Sequence, residues 1–128
     1  MNPFFAVLSG VYIFGIFFLA DSNVVKQLSL FNPMSLLHIP LYGVLTLLLV
    51  LALGNGQTHR PKRRYLIVAF VAIAVAILDE FHQAFIPTRE ASITDVLLDT
   101  LGIFLGLFLF QRILSSRWAS FFIKRRVG

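Results

Sequence analysis

Five of the six acidic residues of this 128-residue chain lie within one stretch, residues 76 to 99. The ionisable and amide side chains of that stretch are Asp79, Glu80, His82, Gln83, Arg89, Glu90, Asp95 and Asp99. Carboxylates and imidazoles can act as general acids, general bases or metal ligands, and a guanidinium can hold an anionic group through two hydrogen bonds. Apolar sequence flanks the stretch on both sides. Because charges inside an apolar span are energetically costly, their presence there indicates a function.

The spacing of these residues predicts two polar helix faces at one level. Asp79 and Gln83 are four residues apart, as are Asp95 and Asp99, so each pair shares one face of a helix. At 1.5 Å of rise per residue, Asp79 and Asp99 lie at the same depth from the loop between them, and Gln83 lies level with Asp95. We therefore predict one polar pocket. Its catalytic candidates are Asp79, Glu80 and His82, and its predicted binding residues are His38, Tyr42, Gln83, Arg89, Ser92, Asp95 and Asp99.

Several of these residues also have an ordinary structural interpretation. Arg89 is typical of a solvated loop charge. Asp95, three residues after Ser92, is typical of a helix N-terminal cap. His38 and Tyr42 are typical of aromatic anchors at a membrane surface. Asp79, Glu80 and Asp99 are harder to explain structurally. One of them could be the counter-ion of Arg89, but three acids and one arginine leave negative charge uncompensated.

The elements that must position this pocket are membrane-spanning helices. Hydrophobic residues make up 58% of the chain and the mean hydropathy is +0.84, which is too apolar for a soluble monomer. A bilayer core of about 30 Å needs roughly 20 apolar residues per helix. We predict an all-α protein with one domain, residues 1–128. Its four predicted spans are residues 3–20, 36–53, 65–86 and 93–114, the last two forming an antiparallel hairpin.

Basic residues predict the orientation of these helices. They gather after the second span and around the C-terminal end: Arg60, Lys62, Arg63, Arg64, Arg112, Arg117, Lys124, Arg125 and Arg126. The positive-inside rule then puts both termini in the cytoplasm and the acidic stretch outside. Topology and contact with anionic lipid account for the net charge of +5, so nucleic acid is not an expected partner. Residues 21–35 are expected to form an outer loop along the membrane surface.

The sequence also excludes several kinds of chemistry. The chain has no cysteine, so thiol catalysis and cysteine-based zinc sites are excluded. No spaced histidine motif predicts a metal site, and no nucleophile elbow or phosphate-binding glycine loop is present. No cofactor can be assigned. Gly102 and Gly106 continue the acidic stripe of the fourth span and predict close packing against another helix.

The stretch DEFHQAFIPTREASITDVLLDTLGIFLG, residues 79 to 106, resembles the signature of the VanZ-like family, whose members resemble the protein of glycopeptide (teicoplanin) resistance. The matching residues are Asp79, Glu80, Gln83, Pro87, Arg89, Ser92, Asp95, Gly102 and Gly106. The earlier segment from His38 to Tyr42 is similar as well. Asp99 departs from the family pattern, in which many relatives have Asn. The resemblance implies a small protein of the bacterial cytoplasmic membrane with an outward-facing polar site.

Three functions fit these observations. The first is an envelope protein that binds a glycopeptide, a lipid-linked cell-wall precursor or a membrane partner, and so contributes to antibiotic tolerance. The second is an integral-membrane enzyme acting on a lipid-linked phosphate, with carboxylate and histidine chemistry. The third is a proton-coupled carrier. Four spans are few for a carrier, so the protein would then have to form a homo-oligomer. The lipid bilayer is a partner in all three.

Overall fold

The computed structural model describes residues 1–20, 22, 36–54, 61–87 and 89–115. These residues form four α-helices and no strand, which confirms the all-helical prediction. The helices are α1 (Pro3–Ala20), α2 (His38–Leu53), α3 (Pro61–Gln83) and α4 (Ile93–Ser115). The predicted loop at 21–35, apart from Ser22, and the basic residues beyond 115 lie outside the described residues.

The boundaries of three helices differ from the predicted spans, and for α4 the difference is only that it ends at Ser115 instead of 114. α3 begins at Pro61 instead of 65, because proline fits the first turn of a helix, where its missing N–H needs no partner. It ends at Gln83 instead of 86. The next residues form tight turns, in which the Phe85 N–H donates to the His82 carbonyl and the Ile86 N–H donates to the Gln83 carbonyl. α2 begins at His38, two residues later than predicted.

Three of the four helices are long and apolar enough to cross a membrane: Pro3–Ala20, Lys62–Gln83 and Ile93–Ile113. α2 has 16 residues, or about 24 Å at 1.5 Å per residue, which is shorter than a bilayer core of about 30 Å. Large apolar side chains on the outer surfaces of the other helices are well exposed, such as Phe14 at 71%, Phe70 at 75% and Phe104 at 58%. Such a surface suits lipid and not water.

Contacts between helix ends give the topology of the bundle. The Asn2 N–H donates to the carbonyl of Ala52 at 2.7 Å, so α1 begins where α2 ends. Tyr42, early in α2, contacts Asp79, late in α3. The Ser92 N–H before α4 donates to Glu80 near the end of α3. Consecutive helices therefore run antiparallel, and α2 runs parallel to α4.

α2 lies at the centre of the bundle and contacts α1, α3 and α4. Tyr42, Leu45 and Val50 on this helix are completely buried. Thr46 is also completely buried, and its hydroxyl donates to the Tyr42 carbonyl at 2.7 Å, so this buried hydroxyl has a hydrogen-bond partner. The shortest helix thus lies at the centre, and α3 contributes equally to the core through Val68, Ala72, Val75 and Ala76.

Glycines bring α2 and α4 together. A Cβ atom added to Gly102 would collide with the backbone carbonyl of Ile39, and one added to Gly106 would lie 2.9 Å from the carbonyl oxygen of Gly43. Only a residue without a side chain allows the two backbones to approach this closely. The helix that Gly102 and Gly106 contact is therefore α2, although the sequence did not identify it.

Candidate functional site

Nine polar residues gather at the end of the bundle where α2 and α4 begin and α3 ends. We call them the polar cluster: His38, Tyr42, Asp79, Glu80, Gln83, Arg89, Ser92, Asp95 and Asp99. Its acids are deeply placed, with Asp99 completely buried, Asp79 2% exposed and Glu80 5% exposed. The opposite end of the bundle carries basic residues, Lys62, Arg63 and Arg64 at the start of α3 and Arg112 in the last turn of α4.

His38 and Asp99 form one half of the cluster. The Nδ1 atom of His38 lies 2.8 Å from Oδ1 of Asp99, which joins the first residue of α2 to the second turn of α4. An ionised carboxylate can only accept a hydrogen bond, so beside an ionised Asp99 the proton lies on Nδ1. In the neutral tautomer Nε2 is then available as an acceptor or ligand. The parallel packing of α2 and α4 places this pair, because Gly102 lies one turn below Asp99.

Asp79 holds the other half of the cluster together. Its Oδ2 atom accepts hydrogen bonds from the Tyr42 hydroxyl at 3.4 Å and from the Gln83 amide at 3.1 Å. The Gln83 carbonyl in turn accepts a hydrogen bond from Nη1 of Arg89 at 3.1 Å. A continuous network therefore runs from the core of α2 through α3 to the loop before α4.

Glu80 fixes the start of α4. Its Oε2 atom accepts the backbone N–H of Ser92 at 2.9 Å, and Ser92 directly precedes the helix. In a capping box the acid three residues into the helix, here Asp95, would accept that N–H. Here an acid of the neighbouring helix takes this role, so Asp95 keeps its carboxylate for other contacts. No sequence pattern indicated this arrangement, because Glu80 and Ser92 belong to different elements and share no helical spacing.

Two other ionisable residues of the same stretch lie apart from this network. The His82 ring packs edge-on against Phe17 of α1, with 5.5 Å between ring centroids. Glu90 is exposed in the loop before α4. The structure thus brings together the predicted binding residues with two of the three catalytic candidates, Asp79 and Glu80, and directs His82 toward another helix.

Each acid of the cluster has one oxygen without a hydrogen-bond partner among the described residues. These buried atoms are Oδ1 of Asp79, Oε1 of Glu80, Oδ1 of Asp95 and Oδ2 of Asp99. Nε of Arg89 is also buried and unpartnered in the described part of the chain. Buried polar atoms are normally paired, so these atoms need a partner such as water, a cation or a ligand group.

One subset of the cluster has the composition of a metal site. A ring nitrogen of His38 and one carboxylate oxygen each from Glu80 and Asp95 all lie within 4.8 Å of one another. These three residues come from three different helices. Such an arrangement can bind a cation or share a proton, and the sequence did not predict it because the relative rotation of the helices was unknown.

A small helical bundle with lipid-compatible surfaces and a buried polar cluster at one end defines a membrane protein with a polar site. The chain belongs to the VanZ/LLP1 family, whose model matches residues 4–115 and so includes the whole cluster. The VanZ-like resemblance predicted from the sequence is thereby confirmed. Comparisons with curated proteins and with solved structures gave no match.

Proposed function

We propose that this protein binds a lipid-linked, phosphate-bearing cell-wall precursor in the bacterial cytoplasmic membrane and thereby contributes to tolerance of glycopeptide antibiotics. The precursor's headgroup would enter the polar cluster, and its lipid chain would stay against the apolar helix surfaces. The positive-inside rule supports an outward-facing cluster, because the basic end of the bundle would then lie in the cytoplasm.

The state of Arg89 is the observation that carries this proposal. Its guanidinium is oriented by Gln83 at 3.1 Å, yet it forms no ion pair with any acid in the described part of the chain. Its Nε atom is buried and unpartnered there. An arginine that is held in place without being neutralised is well suited to bind a phosphate through two parallel hydrogen bonds.

The acids of the cluster favour a headgroup that also carries many hydrogen-bond donors. A bare phosphate would be repelled by Asp79, Glu80, Asp95 and Asp99. Sugar hydroxyls and peptide N–H groups would instead donate to the unpaired carboxylate oxygens. A saccharide-peptide headgroup joined to a lipid by phosphate combines an anionic group for Arg89 with many donors for the carboxylates.

Binding to the purified protein in lipid nanodiscs tests the proposal. The ligands are a polyprenyl diphosphate carrying a disaccharide-peptide, the polyprenyl phosphate alone, and teicoplanin, each measured by native mass spectrometry or calorimetry. We expect the complete precursor to bind best. Arg89→Ala should weaken its binding about 10- to 150-fold, because a hydrogen-bonded pair with a charged group contributes about 1.5–3 kcal/mol.

Arg63→Ala is the matched control, since Arg63 is exposed at the opposite end of the bundle. It should bind the precursor as the unmodified protein does. Equal precursor binding by the Arg89→Ala protein would contradict the proposal. Preference for teicoplanin over the precursor would mean that the protein captures the antibiotic directly.

A second candidate function is hydrolysis of the same lipid-linked phosphate. The observation that favours it is the His38–Asp99 pair, in which a buried carboxylate orients an imidazole at 2.8 Å, as a general base requires. Chromatography of the binding mixtures distinguishes the two functions. If the unmodified protein releases phosphate or headgroup from the precursor and the His38→Gln variant does not, the protein is an enzyme. If the precursor stays unchanged, the protein is a binding protein.

A further inference from the structure

We propose that His38, Glu80 and Asp95 form a binding site for one divalent transition-metal ion, of the class that accepts mixed imidazole and carboxylate ligands, such as Mn²⁺ or Zn²⁺. This inference goes beyond the proposed function and does not depend on it. It also departs from the sequence-based expectation, which included no metal site.

The positions of the ligand atoms are the first observation. One atom from each of the three residues lies within 4.8 Å of the other two. Two atoms bound to one ion at about 2.1 Å are at most about 4.2 Å apart, so small side-chain rotations close the set. Three protein ligands leave further positions on the ion for water or for an anionic ligand.

The environment of Glu80 is the second, independent observation. Its side chain is only 5% exposed, and its Oε2 atom is held by the Ser92 N–H. Its Oε1 atom is buried and has no partner in the described part of the chain, and the same is true of Oδ1 of Asp95. A carboxylate that is fixed through one oxygen while its other oxygen has no donor is suited to bind a cation, because an uncompensated carboxylate is expensive to bury.

The orientation of His38 is the third observation. Asp99 binds its Nδ1 atom at 2.8 Å, which fixes the ring and leaves Nε2 for the metal. Histidine ligands of metal ions almost always make such a hydrogen bond to a carboxylate or carbonyl through the other ring nitrogen. Asp99 would thus be a positioning residue that orients the ligand and raises its basicity.

The charge of the cluster agrees with a bound cation. The cluster holds four acids and one arginine, so their fully ionised forms would leave an excess of negative charge in a region where charges are poorly solvated. A divalent ion would offset part of that excess. Since the three ligands belong to α2, α3 and α4, the ion would also hold three helices together at this end.

Metal titration of the protein in detergent, after removal of metals with a chelator, tests the site. Mn²⁺ is followed by electron paramagnetic resonance and Zn²⁺ by calorimetry. We expect one ion per chain. Glu80→Gln and Asp95→Asn should each weaken binding by at least about 100-fold, more than the 10- to 100-fold typical for outer-shell residues. Asp99→Asn retains an oxygen that can accept the Nδ1 proton, so its loss should stay within about 10- to 100-fold.

The matched controls use the same residue types outside the site. Glu90→Gln changes an exposed glutamate, and His82→Gln changes a histidine that packs against Phe17. Both should bind the ion with unchanged affinity. Thermal unfolding of the metal-free variants checks that they are folded, and Asp95, which is only half-buried, provides the variant least damaging to the fold.

Two results would overturn the inference: neither ion binds at millimolar concentration, or Glu80→Gln and Asp95→Asn both bind as the unmodified protein does. Arg89→Ala separates this inference from the proposed function. It is expected to lose precursor affinity and to keep the metal, since Arg89 is not among the three ligands. Each claim can therefore fail without the other.

Discussion

Replacing Gly102 with alanine should loosen the packing of α2 on α4 and, through it, the polar cluster. The new Cβ atom would collide with the carbonyl oxygen of Ile39 and lie 3.0 Å from the Cα atom of that residue. Ordinary van der Waals separation begins at 3.4 Å, so relief of the second clash alone requires a shift of 3.4 − 3.0 = 0.4 Å, and relief of the first requires more. Both obstacles are backbone atoms, which cannot move aside as a flexible side chain would.

That shift is large enough to disturb the neighbouring hydrogen bond. The 2.8 Å distance between His38 and Asp99 lengthens toward the upper limit of about 3.2 Å if α4 moves away from α2 by 0.4 Å. Overpacking of this kind costs about 1–3 kcal/mol. The gain in helix propensity from glycine to alanine, about 1 kcal/mol, offsets part of it.

A second glycine separates these two contributions. Gly10 lies in α1, and a Cβ atom added there meets nothing within 4 Å. Gly10→Ala therefore reports helix propensity alone. The difference between the two variants in free energy of unfolding, measured by chemical denaturation in mixed micelles, should be about 1–3 kcal/mol, with Gly102→Ala the less stable. Two variants of equal stability would refute the reasoning, because the close approach of α2 and α4 would then have no energetic consequence.

The remaining predictions concern the basic end of the bundle and its orientation. A topology reporter fused after Gly128 should report a cytoplasmic position, and one inserted at Glu90 should report an external position. The reverse pattern would mean that the polar cluster faces the cytoplasm. Arg64→Met should lower the free energy of unfolding by about 1.5 kcal/mol, because Nη2 of Arg64 donates to the Val50 carbonyl at 2.6 Å and its guanidinium lies 5.8 Å from the Phe110 ring. Arg63→Met, at the exposed neighbouring position, should leave stability within about 0.5 kcal/mol of the unmodified value, and an equal loss in both variants would contradict the role given to Arg64.

The sequence predicted the helices well because their signals are local. Apolar length identifies a membrane-spanning helix, and Pro61 and Pro87 bracket α3 to within a few residues. The four-residue spacing of Asp79 and Gln83 also predicted that they share a face, and a hydrogen bond of 3.1 Å joins them. Contacts within one turn of a helix depend only on helix geometry.

The partners between helices could not be predicted in the same way. Asp79 and Asp99 were expected at one depth, but depth does not determine which neighbour each carboxylate faces. In the structure Asp99 binds His38, whereas Asp79 binds Tyr42 and Gln83. Rotation of each helix about its axis decides these pairs, and an apolar surface that meets lipid on most sides leaves that rotation undetermined by periodicity alone.

The glycine stripe of α4 supplies the missing constraint. Gly102 and Gly106 can approach a backbone only on the one face where they lie, and that face meets Ile39 and Gly43 of α2. Asp99 is on the same face one turn earlier, so this packing necessarily brings it beside the first turn of α2, where His38 lies. The packing that closes the bundle therefore also sets the geometry of the His38–Asp99 pair. For this reason a larger side chain at Gly102 should impair the site even though Gly102 itself has no group that could bind a ligand.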